Sequence, residues 1–444
     1  MTGYYWTPEL WCLKRIRILS MLYDQHGISM INDLSQIMER ENIEALWILG
    51  DAYHNPSMTY FTGSAHVSGA DLILIRGKEP VIFCNSMERE EASSTGFEII
   101  VTAKYGFLKI LEESQGNLLE ARAKMRKLMF EDIGLTRGRV AVYGKVEIGP
   151  VLGTFKYLNM LLPEIEFIGE GDDSILLEAR ATKDIHEVER IREMGKITTK
   201  VVGKTAAYLQ SCQVNEDKIL LQENGEPLTI GAMHIKINYW LAELGVENPL
   251  GCIFAIGRDA GVPHSAGTHE DFIRLGKTII YDIYPQETGG GYFFDFTRTW
   301  CLGYAPEAET AMYEDVKAVY QTIMDEMMMD EPAINFQDRT CELFEAQGHR
   351  TIRQDSQLES GYVHSLGHGM GLNVHERPWF SKRGSDCDLL DAGSVVTIEP
   401  GLYYPDQGMG CRLEDTVWVR PDGKMEILAE YPYDLVLPMK HWKG

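Results

Sequence analysis

The sequence of 444 residues predicts an α/β N-terminal domain followed by an α+β domain. A chain of this length exceeds the usual size of one hydrophobic core, so two domains are expected. In the first part, short apolar runs alternate with helical patterns, as they do in βαβ units. Beyond residue 180 the apolar runs carry acidic residues and histidines. We therefore predict domains at residues 1–180 and 181–444.

The N-terminal elements follow from the period of their apolar residues. Short apolar runs predict buried strands at residues 45–50, 72–75, 81–84 and 139–143. Apolar residues that recur at helical spacing predict helices at residues 107–130 and 151–162. Together these elements indicate a compact α/β domain.

The second domain is predicted to begin with a helix after Asp184. Apolar residues recur there three positions apart among charged ones, and Asp184 is the expected N-cap. Another helix is expected to end near Gly245. The same reasoning predicts strands at residues 252–256, 278–283, 292–302, 394–398 and 411–419, with helices at 308–328 and 336–347. This part is therefore expected to be α+β.

Composition and charge exclude several classes of partner. The chain has 66 acidic and 42 basic residues and a net charge of -24, which disfavours binding to nucleic acid. No apolar stretch is long enough to span a bilayer, and the start resembles no secretion signal, so we expect a cytoplasmic protein without a membrane partner. The eight cysteines are scattered, which favours reduced thiols over a disulfide framework.

Two apolar segments of the second domain each contain an aspartate. Asp282 follows Ile279-Ile-Tyr, and Asp295 follows Gly289-Gly-Gly-Tyr-Phe-Phe. A charge in a strand core is costly unless it is paired or binds metal, and a glycine-rich hairpin would bring these carboxylates together. Their mutual repulsion favours a cation between them. The alternative is that Asp295 pairs with Arg298 while Asp282 caps a turn.

Three histidines, His364, His368 and His375, occur in a glycine-rich and otherwise apolar stretch. Histidine is a common ligand of divalent transition metals, and glycine lets the backbone approach a ligand closely. A single histidine in such a place is more often a satisfied core residue. Three in one short stretch favour a functional site.

Two glutamates also follow apolar runs. Glu399 precedes Pro400, which suits the end of a strand. Glu414 lies two positions after Arg412, so the two side chains share a strand face and could simply form an ion pair. Taken together, four carboxylates and one histidine in apolar sequence match the ligands of two Mn, Fe, Co or Zn ions that share carboxylate bridges.

The order of these segments resembles the pita-bread metallohydrolases, a family that includes aminopeptidase P, prolidase, methionine aminopeptidase and creatinase. The resemblance covers residues 180–435. The motifs that carry it are Gly-Tyr-x-x-Asp-x-Thr-Arg-Thr around Asp295, His-Gly-x-Gly-Leu-x-Val-His-Glu from His368, Ile-Glu-Pro-Gly-Leu-Tyr around Glu399, and Arg-x-Glu-Asp from Arg412. The N-terminal part, with Tyr60-Phe-Thr-Gly, is similar to the creatinase-type N-terminal domain. This implies an α/β N-terminal domain followed by an α+β pita-bread catalytic domain.

The resemblance also implies roles for individual residues. Two divalent ions, with Mn(II) expected ahead of Fe, Co or Zn, would be held by Asp282, Asp295, His368, Glu399 and Glu414, with Asp295 and Glu414 bridging. His264 would contact the substrate or leaving group. His364 and His375 would stabilise the tetrahedral intermediate and line the specificity site. Arg412 would support a bridging carboxylate. Water between two cations has a lowered pKa, and Glu399 is best placed to accept its proton.

The activity that the resemblance implies is that of a proline-directed peptidase, an Xaa-Pro aminopeptidase or dipeptidase that acts on small peptides as a homodimer. One feature departs from the family pattern of Asp-x-Gly, because Asp282-Ile-Tyr284 occurs here and Asp295 follows 13 positions later. The longer hairpin keeps an alternative open, a non-peptidase small-molecule enzyme such as a dimethylsulfoniopropionate lyase or an ectoine hydrolase. Tyr284 and Tyr292 could then form an aromatic wall for a cationic substrate.

Overall fold

The structure is a computed structural model that describes residues 28–63, 65–171, 174–381 and 387–442. The predictions for the first residues of the chain lie outside these ranges. Contacts divide the chain into two compact units, with the division between Ala179 and Arg180. Among the helices of the described ranges, none has an apolar stretch of the length that crossing a bilayer requires.

The N-terminal unit is built on a mixed sheet with the strand order β4-β3-β2-β1-β5-β6. β1 lies antiparallel to β2 and parallel to β5. The strands are β1 Ala45–Gly50, β2 Ala70–Ile75, β3 Val81–Cys84, β4 Glu98–Val101, β5 Gly138–Gly144 and β6 Ile165–Ile168. The predicted strands of this unit therefore form, with bounds that differ by two residues at most.

Helices cover both faces of this sheet. They are α1 Ile28–Arg40, α2 Pro56–Thr62, α3 Arg89–Ser93, α4 Phe107–Glu113, α5 Leu118–Asp132, α6 Ile148–Leu161 and α7 Ile175–Ala179. Successive residues of β1 point to opposite faces, so Leu46 packs with Leu34 of α1 while Trp47 packs with Phe130 of α5. Burial on both faces explains why β1 is almost continuously apolar.

The prediction of one helix over residues 107–130 is wrong, because the chain forms α4 and α5 with a turn between them. Gln115 and Gly116 have φ angles of 52° and 80°, which a right-handed helix does not allow. Asn117 then caps α5, since its side chain accepts hydrogen bonds from the backbone N–H groups of Leu119 and Glu120.

The C-terminal unit opens with the predicted helix, α8 Ile185–Ser211. Asp184 caps it by accepting hydrogen bonds from the backbone N–H groups of His186 and Glu187. The side chain of Glu187 accepts one from the N–H of Asp184 at 2.8 Å, which completes a capping box. The predicted N-cap is therefore confirmed.

Two sheets form the body of the C-terminal unit, with strand orders β10-β11-β13-β21 and β15-β14-β16-β19-β20. Their strands are β10 Cys252–Ile256, β11 Thr278–Ile283, β13 Phe296–Leu302, β14 His368–Gly369, β15 Glu376–Trp379, β16 Val395–Ile398, β19 Asp415–Val419, β20 Met425–Ile427 and β21 Val436–Leu437. Shorter ladders pair β7 Gln213–Val214 with β8 Leu220–Leu221, β9 Val246–Glu247 with β12 Gln286–Glu287, and β17 Gly401–Tyr404 with β18 Met409–Arg412. The remaining helices are α9 Ile230–Glu243, α10 Glu307–Glu326 and α11 Ala333–Ala346, and the last two pack into one core with β16 and β19.

Two predicted strands have the wrong bounds, and both differences lie beside the acidic residues. The strand predicted over residues 292–302 begins only at Phe296, because the backbone N–H of Phe294 bonds to the carbonyl of Pro285 in a loop. Residues 411–419 form two strands rather than one. Glu414 lies between them and pairs through its backbone with Thr297 of β13, at 3.1 and 3.4 Å. This bridge joins the two sheets where the acidic side chains meet.

Candidate metal centre

The first pair of acidic residues is carried by adjacent antiparallel strands. Asp282 on β11 lies opposite Thr297 on β13, and Asp295 immediately precedes β13. Both aspartates are buried. Oδ1 of Asp295 accepts a hydrogen bond from the backbone N–H of Phe296 at 3.0 Å. The hairpin therefore brings the two carboxylates to one end of the β11–β13 ladder, as the sequence predicts.

His368, Asp295 and Glu414 meet at the centre of the site. Their potential ligand atoms lie within 4.8 Å of one another. Nε2 of His368 is 3.7 Å from Oδ2 of Asp295 and 3.5 Å from Oε1 of Glu399. The carbonyl of Gly369, 3.1 Å from Nδ1 of His368, can only accept a hydrogen bond, so Nδ1 carries the proton. The lone pair of Nε2 consequently faces the carboxylates.

The protonation preferences of these groups reflect burial and mutual repulsion. Burial, and then the charges of Asp282 and Glu399, raise the pKa of Asp295 well above its ordinary value. Burial, and then Asp295, have the same effect on the pKa of Glu414. Burial lowers the pKa of His368 to about 3. The protein alone therefore favours the protonated forms of Asp295 and Glu414 and the neutral form of His368. Bound cations would instead favour the ionised carboxylates, and the neutral imidazole is the form of histidine that binds metal.

The donor set fits divalent metal ions. Oδ1 of Asp282 is buried and, among the residues that the structure describes, has no hydrogen-bond partner. Arg412 supplies one positive charge beside four carboxylates. Oxygen-rich sets with an imidazole suit Mn, Fe, Co or Zn. The unsatisfied oxygen and the excess of negative charge both indicate cation binding.

Arg412 forms its ion pair with Asp282 and not with Glu414, the partner that the sequence suggested. Its Nη2 lies 2.5 Å from Oδ2 of Asp282, and its Nε donates to the hydroxyl of Thr297 at 3.3 Å. That hydroxyl donates to Oε2 of Glu414 at 2.6 Å. The guanidinium therefore supports Asp282 directly and Glu414 through Thr297.

The alternative pairing of Asp295 with Arg298 is wrong. Arg298 is buried, and its Nη2 lies 2.9 Å from Oδ1 of Asp415. Its other nitrogens donate to backbone carbonyls, including that of Glu414 at 2.9 Å. Arg298 thus secures the backbone beneath the site, and Asp295 faces the other acidic residues.

His364 is held with both ring nitrogens engaged. Nδ1 is 2.7 Å from the carbonyl of Ser365, and Nε2 is 2.8 Å from the hydroxyl of Tyr403. Because the carbonyl can only accept, Nδ1 carries the proton and Nε2 accepts from Tyr403. Nη1 of Arg412 donates to the same hydroxyl at 2.7 Å. Burial, and then the charge of Arg412, lower the pKa of His364 to about 3, so its ring is neutral.

The other two predicted substrate-contacting histidines lie at the surface of the C-terminal unit. His264 and His375 are exposed, and the ring of His375 meets that of His368 edge to face at 4.2 Å. Partial burial, and then the charge of His264, lower the pKa of His375. His264 also acts electrostatically on His364. The three predicted substrate-contacting histidines therefore lie together beside the acidic cluster.

Two residues of the site were not singled out from the sequence. Thr297 and Tyr403 each link Arg412 to another functional side chain. Thr297 lies two positions after Asp295, and alternation along the chain places both on one face, so its role could have been inferred. Tyr403 ends the motif Ile-Glu-Pro-Gly-Leu-Tyr, and its strand pairs with the strand of Arg412, so this contact could also have been inferred. Its contact with His364 joins more distant parts of the chain.

Of the two tyrosines predicted to form an aromatic wall, Tyr284 and Tyr292, only Tyr284 lies where it could contact a substrate. Tyr292 is buried, its hydroxyl donates to Glu187, and the guanidinium of Arg190 lies 4.6 Å from its ring centre. It therefore cannot face a substrate. Tyr284 is partly exposed, and burial followed by the charges of Asp282 and Asp295 raises its pKa, so this phenol does lie beside the acidic cluster.

Comparisons with known proteins agree with the geometry. The model of metallopeptidase family M24 matches residues 189–421. A putative dipeptidase of Bacillus subtilis is 25% identical over 384 residues, which cover 86% of this chain and 92% of that protein. An Xaa-Pro dipeptidase of Pyrococcus horikoshii is 24% identical over 404 residues, covering 89% and 96%. The structure of an Xaa-Pro dipeptidase from Bacillus anthracis superposes with a TM-score of 0.70 at 19% identity, covering 93% of this chain and 99% of the other. The predicted family and fold class are confirmed.

Proposed function

Because this chain belongs to metallopeptidase family M24 and is a metal-dependent hydrolase, we propose that it is a proline-directed peptidase that cleaves Xaa-Pro peptides. The observation that carries the proposal is the buried cluster of Asp295, His368 and Glu414 with three exposed or partly exposed histidines beside it. Relatives that are named Xaa-Pro dipeptidases match across both units of the chain, which supports this substrate class. We assign residues 1–180 to an N-terminal domain and residues 181–444 to the catalytic domain.

Two divalent ions, which we propose to be Mn(II), would be held by Asp282, Asp295, His368, Glu399 and Glu414. The oxygen-rich donor set supports this choice of metal. When bound, such ions lower the pKa of water and polarise a peptide carbonyl. Arg412 would keep the Asp282 carboxylate in place, and Thr297 would do the same for Glu414.

Glu399 is our candidate for the general base. Its side chain is 17% exposed, whereas Asp295 and Glu414 are almost fully buried, so Glu399 is the carboxylate that an attacking water can approach. A base must lie within hydrogen-bond reach of the proton that it takes. We propose that Glu399 accepts the proton of the attacking water and passes it to the leaving nitrogen.

The histidines would bind and orient the substrate. We propose that His264 and His375, both exposed, contact the proline residue and its carboxylate. His364 has its ring nitrogens occupied by Tyr403 and Ser365. It would therefore act through Tyr403, whose hydroxyl it orients. Because the proton of the ring lies on Nδ1, His364 would donate directly to an oxyanion only after Nδ1 leaves the carbonyl of Ser365.

The proposal is tested with a panel of Xaa-Pro dipeptides and Xaa-Pro-containing peptides, incubated with Mn(II)-loaded protein. We expect release of the N-terminal residue from Xaa-Pro substrates, and no release from the matched Xaa-Ala series. Absence of cleavage across the panel, together with turnover of dimethylsulfoniopropionate or ectoine, would instead support the small-molecule alternative.

Two further assignments stay proposals. A homodimer is implied by the family resemblance, and light scattering of the purified protein tests it. A cytoplasmic location is supported by the cysteines, since the seven that the structure describes are all free, as expected in a reducing compartment. Fractionation of cells that express the protein tests the location.

A further inference from the structure

The N-terminal unit contains a cavity of about 520 Å³ that has no part in the peptidase chemistry. The cavity opens where β1, β3 and β4 end, at Gly50, Cys84 and Thr102. From β1 the sheet extends through β2 and β3 to β4 in one direction, and through β5 to β6 in the other. In open α/β sheets, ligands bind at the carboxyl ends of strands near such a reversal, and this volume suits a small molecule.

Aromatic and aliphatic side chains form most of the cavity wall. Trp47, Phe83, Met125 and Phe155 line it, and the rings of Trp47 and Phe155 lie 5.5 Å apart. The polar edge of the indole is already satisfied, because Nε1 of Trp47 donates to Oδ1 of Asp71 at 2.8 Å. The wall therefore favours an apolar, flat ligand body.

The charged groups of the cavity leave one positive charge without a partner. Asp71 is buried, and its carboxylate is paired with Arg126 at 3.1 Å. Arg122 lies one turn earlier on α5, on the same helix face, and also lines the cavity. It is exposed and, within the described part of the chain, makes no hydrogen bond or ion pair. A guanidinium at the edge of an apolar cavity favours an anionic ligand group, and a carboxylate pairs with it in bidentate geometry.

The same charges exclude a zwitterion. An amino acid or peptide would need an acidic partner for its ammonium group. Asp71 is the acidic side chain among the lining residues, all of which the structure describes, and it is already paired with Arg126 and bonded to Trp47. The cavity is therefore distinct in chemistry from a second site for the substrate or products of a peptidase.

We propose that this cavity is a binding site for a small aromatic monocarboxylate. The ring system lies against the wall formed by Trp47, Phe83 and Phe155, and the carboxylate is held by Arg122. The proposal is independent of the catalytic assignment, since the lining residues all belong to the N-terminal unit.

Calorimetric titration of the full-length, metal-loaded protein with 2-naphthoate tests the proposal. We expect one site per chain, and binding at least about tenfold weaker for the neutral isostere 2-naphthamide and for the zwitterion 3-(2-naphthyl)alanine, because a charge-assisted contact is lost or an ammonium is left unpaired. Arg122→Gln should weaken naphthoate binding by a similar factor. Arg137→Gln, which changes another exposed arginine of the same unit away from the cavity, should leave it unchanged.

A second variant tests the location without depending on charge. Val151 lines the cavity from α6 and is partly exposed, so Val151→Trp should fill the space and abolish binding while circular dichroism confirms an intact fold. Absence of naphthoate binding at millimolar concentration would overturn the proposal. Binding that survives both Arg122→Gln and Val151→Trp would place the ligand elsewhere, and would overturn it equally.

Discussion

Nη2 of Arg412 lies 2.5 Å from Oδ2 of Asp282, and both side chains are buried in the C-terminal unit. The pair joins β18 to β11 and leaves the other oxygen of Asp282 buried and without a hydrogen-bond partner among the described residues. The negative charge of Asp282 is therefore neutralised partly by Arg412 and partly by the proposed metal ions.

The first prediction follows because Arg412 and the proposed metal ions both neutralise Asp282. Arg412→Met leaves Asp282 with an unpaired buried charge, so the metal-free protein should lose about 3 kcal/mol of unfolding free energy. With Mn(II) bound, the loss should be smaller, because the cations replace part of the missing positive charge. Chemical denaturation with chelator and with Mn(II) measures both values. Arg350→Met removes an exposed arginine paired with Asp355 and should change neither. Equal losses with and without metal would show that bound Mn(II) does not replace the charge of Arg412.

The second prediction concerns His364 and Tyr403. If His364 acts by orienting the Tyr403 hydroxyl, His364→Ala and Tyr403→Phe should each lower kcat at least about tenfold, which corresponds to about 1.4 kcal/mol. The double variant should lose little more than either single one, because the two residues act as a unit. Tyr404→Phe is the matched control, since its hydroxyl bonds to His349 at 2.6 Å away from the acidic cluster. Fully additive losses would show that the two residues act independently.

The third prediction concerns a buried charge cluster next to His375. Glu376 forms ion pairs with Arg180 and with Lys183, the latter at 2.9 Å, and all three side chains are buried. Glu376→Gln leaves two buried cations without their carboxylate and should cost about 3–5 kcal/mol of unfolding free energy. Glu359→Gln, at an exposed position of the same unit, should be neutral. Chemical denaturation at neutral pH measures the unfolding free energies of both variants and of the wild type.

The stability that Glu376 contributes should also depend on pH. Burial opposes its charge, but Arg180 and Lys183 hold the pKa of Glu376 below its ordinary value. A carboxylate with a lowered pKa stabilises the folded state above the ordinary pKa and loses that contribution as the pH falls through the lowered value. The difference in unfolding free energy between wild type and Glu376→Gln should therefore narrow as the pH falls below about 4.3. A constant difference down to the acid transition would contradict this assignment.

Several elements could be predicted because burial alone specifies them. The strands Cys252–Ile256 and Thr278–Ile283 are buried at every position, so their bounds match the apolar runs of the sequence. The break between α4 and α5 was missed because the apolar period continues across it. Its signal was Gly116-Asn117, a residue that tolerates positive φ followed by an N-cap residue.

The partners of the charged residues were harder to predict than the residues themselves. Alternation places Arg412 and Glu414 on one face, but it does not show that Asp282 approaches Arg412 from another strand. The same limit applies to Arg298, whose neighbour in sequence is Asp295 but whose partner in space is Asp415. Long-range pairing across two sheets depends on register and sheet packing, which periodicity does not encode.

The proposal on which these predictions rest is that the buried acidic cluster holds two divalent ions that are required for hydrolysis. Its most direct test is a count of bound Mn(II) per chain, by elemental analysis of chelator-treated protein after reloading and desalting, with Xaa-Pro hydrolysis assayed on the same samples. We expect about two ions per chain and activity that appears only with them. We also expect fewer ions and no turnover for Asp295→Asn, and unchanged values for the exposed control Asp406→Asn. Full activity in the metal-free protein, or two ions and normal turnover in Asp295→Asn, would contradict it.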